Sequence, residues 1–545
     1  MQISDKSLYR FLLFLAIAVN FSGLFLIIIG PDGSLYAAIS KKIAMSGNWL
    51  ELFGNGTDWL DKPHFPFWIT AVSFKIFGIS YWSYKLPAIL FLLGGAWYTY
   101  AFAKKLYNTT VALWSVLILL TAQHIILSNT DVRAEPYLTA LIMAAVFHFY
   151  RVIETKIFVQ LILASFFAAC AVMTKGMFAL IPIAAAIGGH LVIKGDWKNV
   201  FHWRWLVAIV LILIMIIPEL YSLYYQFDLH PEKTVFGQQN VSGLKFFFWD
   251  SQFGRFFNTG PIKGKGDPTF FLHTTLWAFL PWSILFYVAI FRKIKDGIQK
   301  KENGEWYTVC GSLATFLLFS ASSFQLPHYM NIVFPFFAII TADYLFRLHH
   351  IKSLRIFNRI QTGLVILMII LVTGLYLIYK PGHSSWIALL VIVILFFAAF
   401  YISAGWKERW KEKMITKSIC GVVAVNLFLN WIFYPDLLQY QGGTKAAEYL
   451  NQQYPGVKVV QLFPRFSYTL EFDLDAPLIT IPSLDDTSGL QKPYILFIQK
   501  GDDSTILSKP VHEVKQFHVS KLNGKFIYQK TREGQLSSFR LYYVN

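Results

Sequence analysis

The sequence predicts a polytopic α-helical membrane protein with a small α/β domain at its C-terminal end. The mean hydropathy is +0.48, and 55% of the 545 residues are hydrophobic whereas only 14% are charged. A soluble protein of this length has about 25% charged residues. Many apolar runs are about 20 residues long, which is the length that a helix needs to cross a hydrocarbon core about 30 Å thick. Helices are expected because a lipid-embedded segment must satisfy its backbone polar groups internally.

The basic residues indicate how the chain crosses the membrane. The net charge is +17, and most lysines and arginines fall in short, alternate connections between the apolar runs. These connections contain Lys104 and Lys105, Arg151 and Lys156, Lys194 and Lys198, and the stretches 292–301, 347–359 and 407–417. Loops with an excess of lysine and arginine are typically cytoplasmic, and loops on one side of the membrane alternate along the chain. We therefore expect lipid headgroups, and no nucleic acid, as the partners of this charge.

The apolar runs predict about thirteen spans, each of about the length required to cross the bilayer. The predicted spans are 8–29, 85–103, 109–127, 133–150, 157–173, 177–194, 204–224, 269–291, 306–322, 328–346, 361–379, 385–403 and 416–434. The first run is too long for the core of a signal peptide, so we interpret it as a retained span. If the N-terminus is cytoplasmic, an odd number of spans places the C-terminus outside and every basic connection inside.

The first long outer segment, 30–84, is expected to contain two amphipathic helices that lie in the membrane interface. The first covers 34–45, with Lys41 and Lys42 on its polar side. The second covers 64–77 and is aromatic and apolar but too short to span. With the second outer segment, this loop is expected to form the face on which chemistry takes place.

The other two outer segments differ in composition from the spans. The segment 225–268 contains a glycine- and lysine-rich stretch at 262–267 that indicates a mobile loop. After residue 434 charged residues return and long apolar runs stop, so we expect a transmembrane domain at 1–434 and an extracytoplasmic soluble domain at 435–545. The predicted elements of that domain are a helix at 444–452 and strands at 457–463, 494–499, 526–529 and 539–544.

Polar residues at the outer ends of the spans are the candidates for chemistry. Asp131, Arg133 and Glu135 begin a predicted span, where ionised groups are costly unless they are paired or hydrated. Lys175 lies between two apolar runs and needs an anion, for which a lipid phosphate is a natural partner. The structural alternatives are a helix cap for Asp32, headgroup contact for Lys62 and Lys175, an ion pair between Arg133 and Glu135, and interfacial packing for His328 and Tyr329. The convergence of carboxylates and cations on one membrane face favours a site.

Short motifs in the outer connections resemble those of a known family. The stretch 31–40, Pro-Asp-Gly-Ser-Leu-Tyr-Ala-Ala-Ile-Ser, resembles the first outer loop of GT-C membrane glycosyltransferases. The aminoarabinose transferases that modify lipid A and the protein O-mannosyltransferases are the most similar groups. Asp61-Lys62-Pro63 resembles their acid-Lys-Pro element, and 174–176 resembles their Thr-Lys-Gly turn. Further similar motifs lie at 249–256, 326–329, 334–335 and 434–441, so the resemblance covers the chain to about residue 450.

The resemblance implies transfer of a sugar, with inversion, from a polyprenyl-phosphate carrier to an acceptor outside the cytoplasm. Asp32 is expected to take the proton of the acceptor as a general base, and Glu135 is expected to be a second catalytic residue. If the acceptor is itself a phosphate, Asp32 would orient it or stabilise positive charge on the sugar. Lys62, Lys175, Arg255 and Tyr329 are expected to bind the donor phosphate, and Tyr36, Asp61 and His328 are expected to shape the acceptor side.

The resemblance also raises the question of a divalent metal ion. The aminoarabinose transferases have Glu at the position of Asp61 and His at the position aligned with Gln252, and those residues help to bind a metal there. Gln is a poor substitute for a zinc-binding imidazole. Asp61 and Gln252 are thus the candidate ligands, and the need for a metal stays open. Gln325 also stands where Lys is common, so the sugar or the acceptor can differ from those of the relatives.

The resemblance favours a bacterial inner membrane, with a cytoplasmic N-terminus and a periplasmic C-terminal domain. Lipid A, lipopolysaccharide or another envelope glycan is the expected acceptor, and a protein O-glycosyltransferase is the alternative. Two other classes remain. A secondary transporter would show charged residues near the bilayer midplane and internal repeats, whereas the charges here lie mostly at span ends. A membrane assembly or sensor protein would use the C-terminal domain, and Asp32 would only cap a helix.

Overall fold

The fold is described from a computed structural model over residues 3–155, 157–299, 304–382, 385–404, 406, 409–463, 467–500, 511–520 and 524–545. Four of the predicted basic loop positions, Lys156, Lys300, Lys301 and Lys407, lie outside the described residues. The apolar runs form helices, as their length and composition predict.

The N-terminal half of the chain is helical apart from one short hairpin. Its helices are α1 Ile3–Phe21, α2 Pro31–Ser46, α3 Phe65–Phe77, α4 Tyr81–Leu106, α5 Thr109–Leu120, α6 Gln123–Thr130, α7 Glu135–Thr155, α8 Phe158–Lys175, α9 Leu180–Ile193, α10 Trp197–Val200, α11 Arg204–Met215, α12 Ile217–Leu223 and α13 Gly243–Lys245. The hairpin is β1 Phe53–Gly54 with β2 Thr57–Asp58. A 3-10 turn at Met177–Ala179 precedes α9, and π-helical segments occur at Tyr224–Asp228 and Phe246–Gly254.

The C-terminal half continues as helices and ends in a sheet. Its helices are α14 Phe270–Ala278, α15 Ser283–Ile298, α16 Tyr307–Ser320, α17 Phe334–Arg347, α18 Ile351–Tyr379, α19 Trp386–Ala404, α20 Trp410–Phe428, α21 Tyr434–Leu437, α22 Gly442–Gln453, α23 Tyr468–Asp473, α24 Gly524–Ile527 and α25 Gln529–Arg532. Its strands are β3 Lys458–Leu462, β4 Leu478–Ile481, β5 Tyr494–Gln499, β6 Val511–Ser520 and β7 Leu536–Val544. Shorter 3-10 and π-helical segments are Pro327–Val333, Leu429–Phe433, Leu438–Tyr440, Leu484–Gly489 and Glu533–Gln535.

The chain is a multi-pass membrane protein. Seven helical segments of the described residues are long and apolar enough to cross a membrane: Tyr81–Leu106, Glu135–Thr155, Phe158–Lys175, Trp197–Met215, Pro327–Arg347, Ile351–Tyr379 and Trp410–Tyr440. The pair α5 and α6, bent by 52°, forms an eighth candidate. Shorter apolar helices lie at Phe65–Phe77, Met177–Ile193, Tyr307–Ser320 and Trp386–Tyr401. The count of thirteen spans therefore stays a prediction.

Several of the predicted spans contain breaks, and two of these breaks have a clear physical cause. In the predicted span 8–29, α1 ends early, and the chain turns so that the carbonyls of Gly23 and Leu26 accept hydrogen bonds from Lys85 Nζ at 2.9 and 2.6 Å. Lys85 is fully buried, so these carbonyls supply the polar partners that its ammonium group requires. The predicted span 269–291 divides into α14 and α15 near a proline, which has no N–H to continue a helical hydrogen-bond pattern.

The first predicted interfacial helix corresponds to α2, but its environment differs from the prediction. Lys41 is 8% exposed, and its Nζ donates to the carbonyls of Phe472 and Leu474 at 2.7 Å each. Lys42 Nζ lies 2.7 Å from Glu471 Oε1. The expectation of a lysine-bearing face turned to water and headgroups is therefore wrong for Lys41. The α2 helix is packed between the hydrophobic core and the C-terminal segment, with α23 against it.

The C-terminal segment holds a five-stranded sheet of strand order β4-β3-β5-β7-β6. The first three strands are parallel, and β7 and β6 are antiparallel additions. The predicted strands 457–463, 494–499 and 539–544 correspond to β3, β5 and β7, and the predicted helix corresponds to α22. The predicted strand at 526–529 is wrong, because Phe526 lies in the short α24 and packs against the Tyr440 ring at 5.1 Å. The sequence analysis did not identify β4 and β6.

Replacing Lys41 by Met is expected to loosen the contact between α2 and the C-terminal segment. The two buried carbonyls that accept from Lys41 would lose their donor, and each unsatisfied group costs about 1–3 kcal/mol. We expect a lower melting temperature and faster proteolysis around 472–475. The same substitution at Lys75, an exposed residue of α3, is the matched control. Equal melting temperatures for the two variants would contradict this interpretation of Lys41.

Candidate active site

The candidate residues meet at one cavity near the first turns of α2 and α7 and the end of α8. This cavity, called the polar cavity below, has a volume of about 180 Å³. Its lining includes Asp32, Tyr36, Asp61, Lys62, Glu135, Lys175, Arg255, His328 and Tyr329. Residues separated by almost three hundred positions in the chain therefore contribute to one site. Gln252, the remaining candidate, lines an adjacent cavity.

Asp32 lies in the first turn of α2 and is held by Arg133. The helix starts at Pro31 with Gly30 as its N-cap residue, and Asp131 Oδ1 accepts a hydrogen bond from the Gly30 N–H at 3.1 Å. Asp32 Oδ2 lies 2.7 Å from Arg133 Nη1, while the Asp32 side chain is 50% exposed. The structural alternative of a helix cap is thus wrong for Asp32. Its carboxylate is oriented by one cation and is open to the polar cavity.

Arg133 and Glu135 do not pair with each other, contrary to the structural alternative. Arg133 contacts Asp32 and also Asp131, whose Oδ2 lies 3.2 Å from Nη2. Burial lowers the pKa of Arg133, but the carboxylates of Asp131 and Asp32 raise it by more, so its pKa is raised overall. Arg133 is therefore a permanent cation between two carboxylates, which fixes the loop before α7 against the start of α2.

Glu135 is the buried counter-ion of Lys175. Its Oε1 lies 2.5 Å from Lys175 Nζ and 3.7 Å from His328 Nε2, and the Glu135 side chain is only 3% exposed. Lys175 Nζ also lies 3.7 Å from the centroid of the Tyr329 ring. A cation over an aromatic face is stabilised electrostatically. This arrangement holds the ammonium group of Lys175 at the wall of the polar cavity.

Asp61 joins the other two candidate cations. Lys62 Nζ donates to Asp61 Oδ2 at 2.7 Å, and Arg255 Nη2 contacts Asp61 Oδ1. The Arg255 guanidinium also lies 5.6 Å from the centroid of the Phe324 ring. Burial lowers the pKa of Arg255, although arginine stays charged in proteins. One carboxylate therefore orients two cations toward the same space.

Tyr36 and His328 complete the wall of the polar cavity. Burial raises the pKa of the Tyr36 hydroxyl to about 12, so this group is neutral at physiological pH and can donate a hydrogen bond. Its ring packs edge-to-face on Phe67 at 5.3 Å. His328 lies between Glu135 and the ring of Tyr329, which is 5.1 Å away. Both residues are in positions to shape a bound molecule.

A second cavity of about 80 Å³ adjoins the polar cavity and is called the apolar cavity below. The two cavities share six lining residues, namely Asp61, Lys62, Lys175, Arg255, Phe324 and Tyr329. Beyond these, the apolar cavity is lined by side chains that include Leu138, Phe178, Ala179, Phe319 and Ile332. The boundary between the apolar cavity and the polar cavity is thus lined by three cations and one carboxylate, namely Lys62, Lys175, Arg255 and Asp61.

The candidate metal ligands are engaged in other contacts. Both carboxylate oxygens of Asp61 contact cations. Gln252 Nε2 donates to the Lys175 carbonyl at 3.1 Å, and Gln252 Oε1 accepts from the Phe178 N–H at 3.2 Å. Within the described ranges, no group of three or more His, Cys, Asp or Glu residues could hold a metal ion. The residues at this position do not fit a divalent metal, and we derive no step through one.

Known proteins are similar to this chain in sequence and in fold. The family model of dolichyl-phosphate-mannose-protein mannosyltransferases matches residues 61–221, which include Asp61, Lys62, Glu135 and Lys175. The structure is similar to that of ArnT from Cupriavidus metallidurans bound to undecaprenyl phosphate. The TM-score is 0.76 and the identity 17%, and the match covers 97% of each chain. The chain therefore shares the fold of ArnT, and residues 61–221 resemble the mannosyltransferase family.

Two sequence relatives match different shares of this chain. An uncharacterized protein of Aquifex aeolicus is 24% identical over 478 residues, which is 86% of each protein. An undecaprenyl phosphate-alpha-4-amino-4-deoxy-L-arabinose arabinosyl transferase of Edwardsiella ictaluri is 26% identical over 337 residues. That second match covers 60% of this chain and 57% of the relative.

Several residues that line the polar cavity, or that contact its lining, were outside the sequence-based site. Asp131 and Arg133 were noted as charges at the start of a span, and Arg133 was weighed only as a partner of Glu135, whereas in the structure it contacts Asp32 and Asp131. Trp59 and Phe324 also line the polar cavity. A single aromatic residue in an aromatic-rich membrane protein carries no signal in one sequence, so only the structure could identify these two.

Proposed function

We propose that this protein transfers a sugar from a polyprenyl-phosphate carrier to an acceptor on the periplasmic side of a bacterial inner membrane. The observation that supports this most strongly is the position of Lys62, Lys175 and Arg255, where the apolar and polar cavities meet. A lipid-linked sugar has the same order of parts: an apolar chain, an anionic phosphate and a polar sugar. The undecaprenyl phosphate in the similar ArnT structure has the first two of these parts, the apolar chain and the phosphate.

The three cations would stabilise the leaving group. When the bond between the anomeric carbon and the phosphate oxygen breaks, its electron pair remains on the phosphate, and negative charge increases there. Cations that are already oriented stabilise such charge without reorganisation. Asp61 orients Lys62 and Arg255, and Glu135 orients Lys175. In this proposal Glu135 is a positioning residue that acts through Lys175, and Tyr329 stabilises the same ammonium group with its ring face.

Asp32 is the proposed base. A hydroxyl acceptor would attack the anomeric carbon from the face opposite the phosphate, with inversion, and its proton would pass to the Asp32 carboxylate. The contact with Arg133 leaves half of the Asp32 side chain exposed, which permits this approach. A phosphate acceptor is already anionic and needs no strong base, and Asp32 would then orient it or stabilise the positive charge that develops on the sugar.

The acceptor and the topology are also proposals. Lipid A, lipopolysaccharide or another envelope glycan is favoured by the likeness to the aminoarabinosyl transferase of Edwardsiella ictaluri. A protein acceptor is the second candidate, because the matching family model is that of protein mannosyltransferases. We further propose thirteen spans within a transmembrane domain at 1–434, a cytoplasmic N-terminus, and a periplasmic domain at 435–545 built on the five-stranded sheet.

Labelled lipid-linked sugars added to membranes that contain the protein would test the function. The label would be followed into glycolipid, polysaccharide and protein fractions, with membranes lacking the protein as a control. Label that enters one fraction only in the presence of the protein would support a transferase and identify its acceptor class. Absence of transfer from every polyprenyl-phosphate sugar tested would contradict the proposal.

Substitution of Lys62 by Met is expected to weaken the binding of undecaprenyl phosphate by about 10-fold or more. Hydrogen bonds to charged groups contribute about 1.5–3 kcal/mol, and 1.4 kcal/mol is about a factor of ten in affinity. Binding to the purified protein in detergent would be measured by a thermal shift titration. Lys265→Met, at an exposed lysine outside the cavities, is the matched control. Equal affinities for the two variants would exclude Lys62 from the phosphate site.

A further inference from the structure

The turn that carries Lys175 is fastened by a single side chain from another part of the chain. Gln252 donates from Nε2 to the Lys175 carbonyl at 3.1 Å and accepts at Oε1 from the Phe178 N–H at 3.2 Å. Its Nε2 also donates to Ser251 Oγ at 2.9 Å. Gln252 is 7% exposed, so water is largely excluded from these bonds. One amide therefore connects the end of α8 with the start of the 3-10 turn that follows it.

Gly176 permits this close approach. Its φ is +89°, in the region that favours glycine, and α8 ends there. A Cβ at this position would lie 2.3 Å from Gln252 Nε2 and 2.7 Å from Gln252 Cδ. The Gln252 amide thus occupies the space that any other residue at 176 would need. The glycine at the end of Thr-Lys-Gly, 174–176, therefore leaves the space that the Gln252 amide occupies.

Gln252 also lies close in sequence to the second cation of the site. It belongs to the π-helical segment Phe246–Gly254, and Arg255 is the residue directly after that segment. The same side chain therefore connects the main chain that carries Lys175 to the main chain that carries Arg255. Asp61 fixes the guanidinium end of Arg255, and Glu135 fixes the ammonium end of Lys175. The amide of Gln252 fixes the relative position of the two main-chain segments.

We propose that Gln252 is a positioning residue that sets the spacing between Lys175 and Arg255, and hence the shape of their anion site. It does this by hydrogen bonds, at a place where the resemblance raised the question of a metal ligand. The identity of the anion as a lipid phosphate rests on the proposed function, whereas the fastening of the turn does not. The negative charge of the bound group is balanced by side chains of this chain.

Gln252→Ala is expected to weaken undecaprenyl phosphate binding and to lower the transfer rate, each by about 10-fold. In a Lys175→Met background the same change should have almost no further effect on either quantity, because the two residues act as one unit. Gln238→Ala, at an exposed glutamine of the same outer segment, is the control. Independent, multiplicative effects of the Gln252 and Lys175 substitutions would overturn the proposal.

Gln252→Glu separates positioning from simple packing, because it keeps the size of the side chain. An ionised carboxylate cannot donate to the Lys175 carbonyl, whereas a protonated one can. Phosphate binding by this variant should therefore recover as the pH is lowered, relative to wild type at each pH. A Gln252→Glu variant that binds like wild type at neutral and alkaline pH would overturn the proposal.

Hydrogen exchange tests the fastening without reference to any activity. The amide of Phe178 donates to Gln252 Oε1, so it should exchange at least 10-fold faster in Gln252→Ala than in wild type or Gln238→Ala. Unchanged exchange at 176–179 would overturn the proposal even if sugar transfer is observed. Faster exchange in a protein that neither transfers sugar nor binds undecaprenyl phosphate would retain the hydrogen-bonded turn and refute the proposed function.

Chelation of divalent metals should leave the affinity for lipid phosphate unchanged. A loss of affinity would contradict the proposal that side chains alone balance the charge of the bound phosphate.

Discussion

Asp32→Asn is expected to lower the rate of sugar transfer by about 100-fold or more, which is the range of general-base contributions. Asn has nearly the same shape as Asp and can still accept a hydrogen bond from Arg133, so the start of α2 should stay in place. It cannot take the acceptor proton, and it carries no charge to stabilise the sugar. The measurement is the initial rate with purified protein in liposomes, together with undecaprenyl phosphate affinity, which should change little.

The control for Asp32 is Glu232→Gln, a change of the same kind at an exposed acid with a 68% exposed side chain. This variant should transfer sugar at the wild-type rate. A wild-type rate for Asp32→Asn at equal protein level would contradict the role of Asp32 as base and as charge stabiliser. Asp32→Glu adds a further comparison, since a displaced carboxylate should retain part of the activity.

Glu135→Leu is expected to destabilise the protein by about 3 kcal/mol or more, because removal of one partner leaves a buried charge without compensation. Glu135 is 3% exposed and Lys175 is 22% exposed at the side chain, and their charged atoms are 2.5 Å apart. The double variant Glu135→Leu/Lys175→Met should regain most of that stability, since it removes both charges. The measurement is the free energy of unfolding in denaturant, or the melting temperature in one detergent.

The same double variant distinguishes stability from function. It should remain unable to bind undecaprenyl phosphate with wild-type affinity, because the ammonium group of Lys175 is absent. Lys175→Met alone should be less harmful to stability than Glu135→Leu if His328 can still contact the carboxylate at 3.7 Å. A double variant less stable than either single variant would contradict the claim that Glu135 and Lys175 compensate each other's charge.

The sequence was informative where a residue type conflicts with its surroundings. Lys175 within apolar sequence and Glu135 at the start of a span both required partners, and the structure shows that they are partners of each other. Sequence alone could not identify that pairing, because it depends on the packing of α7 against α8. For the same reason, the sequence suggested Glu135 as the partner of Arg133, whereas in the fold Arg133 contacts Asp32.

The sequence was less informative where a charged residue is satisfied by main-chain groups. From the sequence, Lys41 was expected on a solvated helix face. In the structure it is buried, and its ammonium group donates to the carbonyls of Phe472 and Leu474. Lys85 likewise binds two carbonyls beyond α1. No side-chain pattern encodes such partners. The strand β6 has Glu513 and Lys515 and two histidines among its ten residues and forms an edge of the sheet, so it lacks the continuous apolar signal of β3 and β5.

A structure of the full chain in lipid nanodiscs with undecaprenyl phosphate would test the central claim most directly. The account predicts the phosphate within hydrogen-bonding distance of Lys62, Lys175 and Arg255, with the first isoprenoid units against Phe178 and Phe319 in the apolar cavity. It further predicts that Asp32 faces the phosphate across the polar cavity. Well-defined lipid phosphate bound elsewhere, with these three cations still paired only to Asp61 and Glu135, would contradict the account.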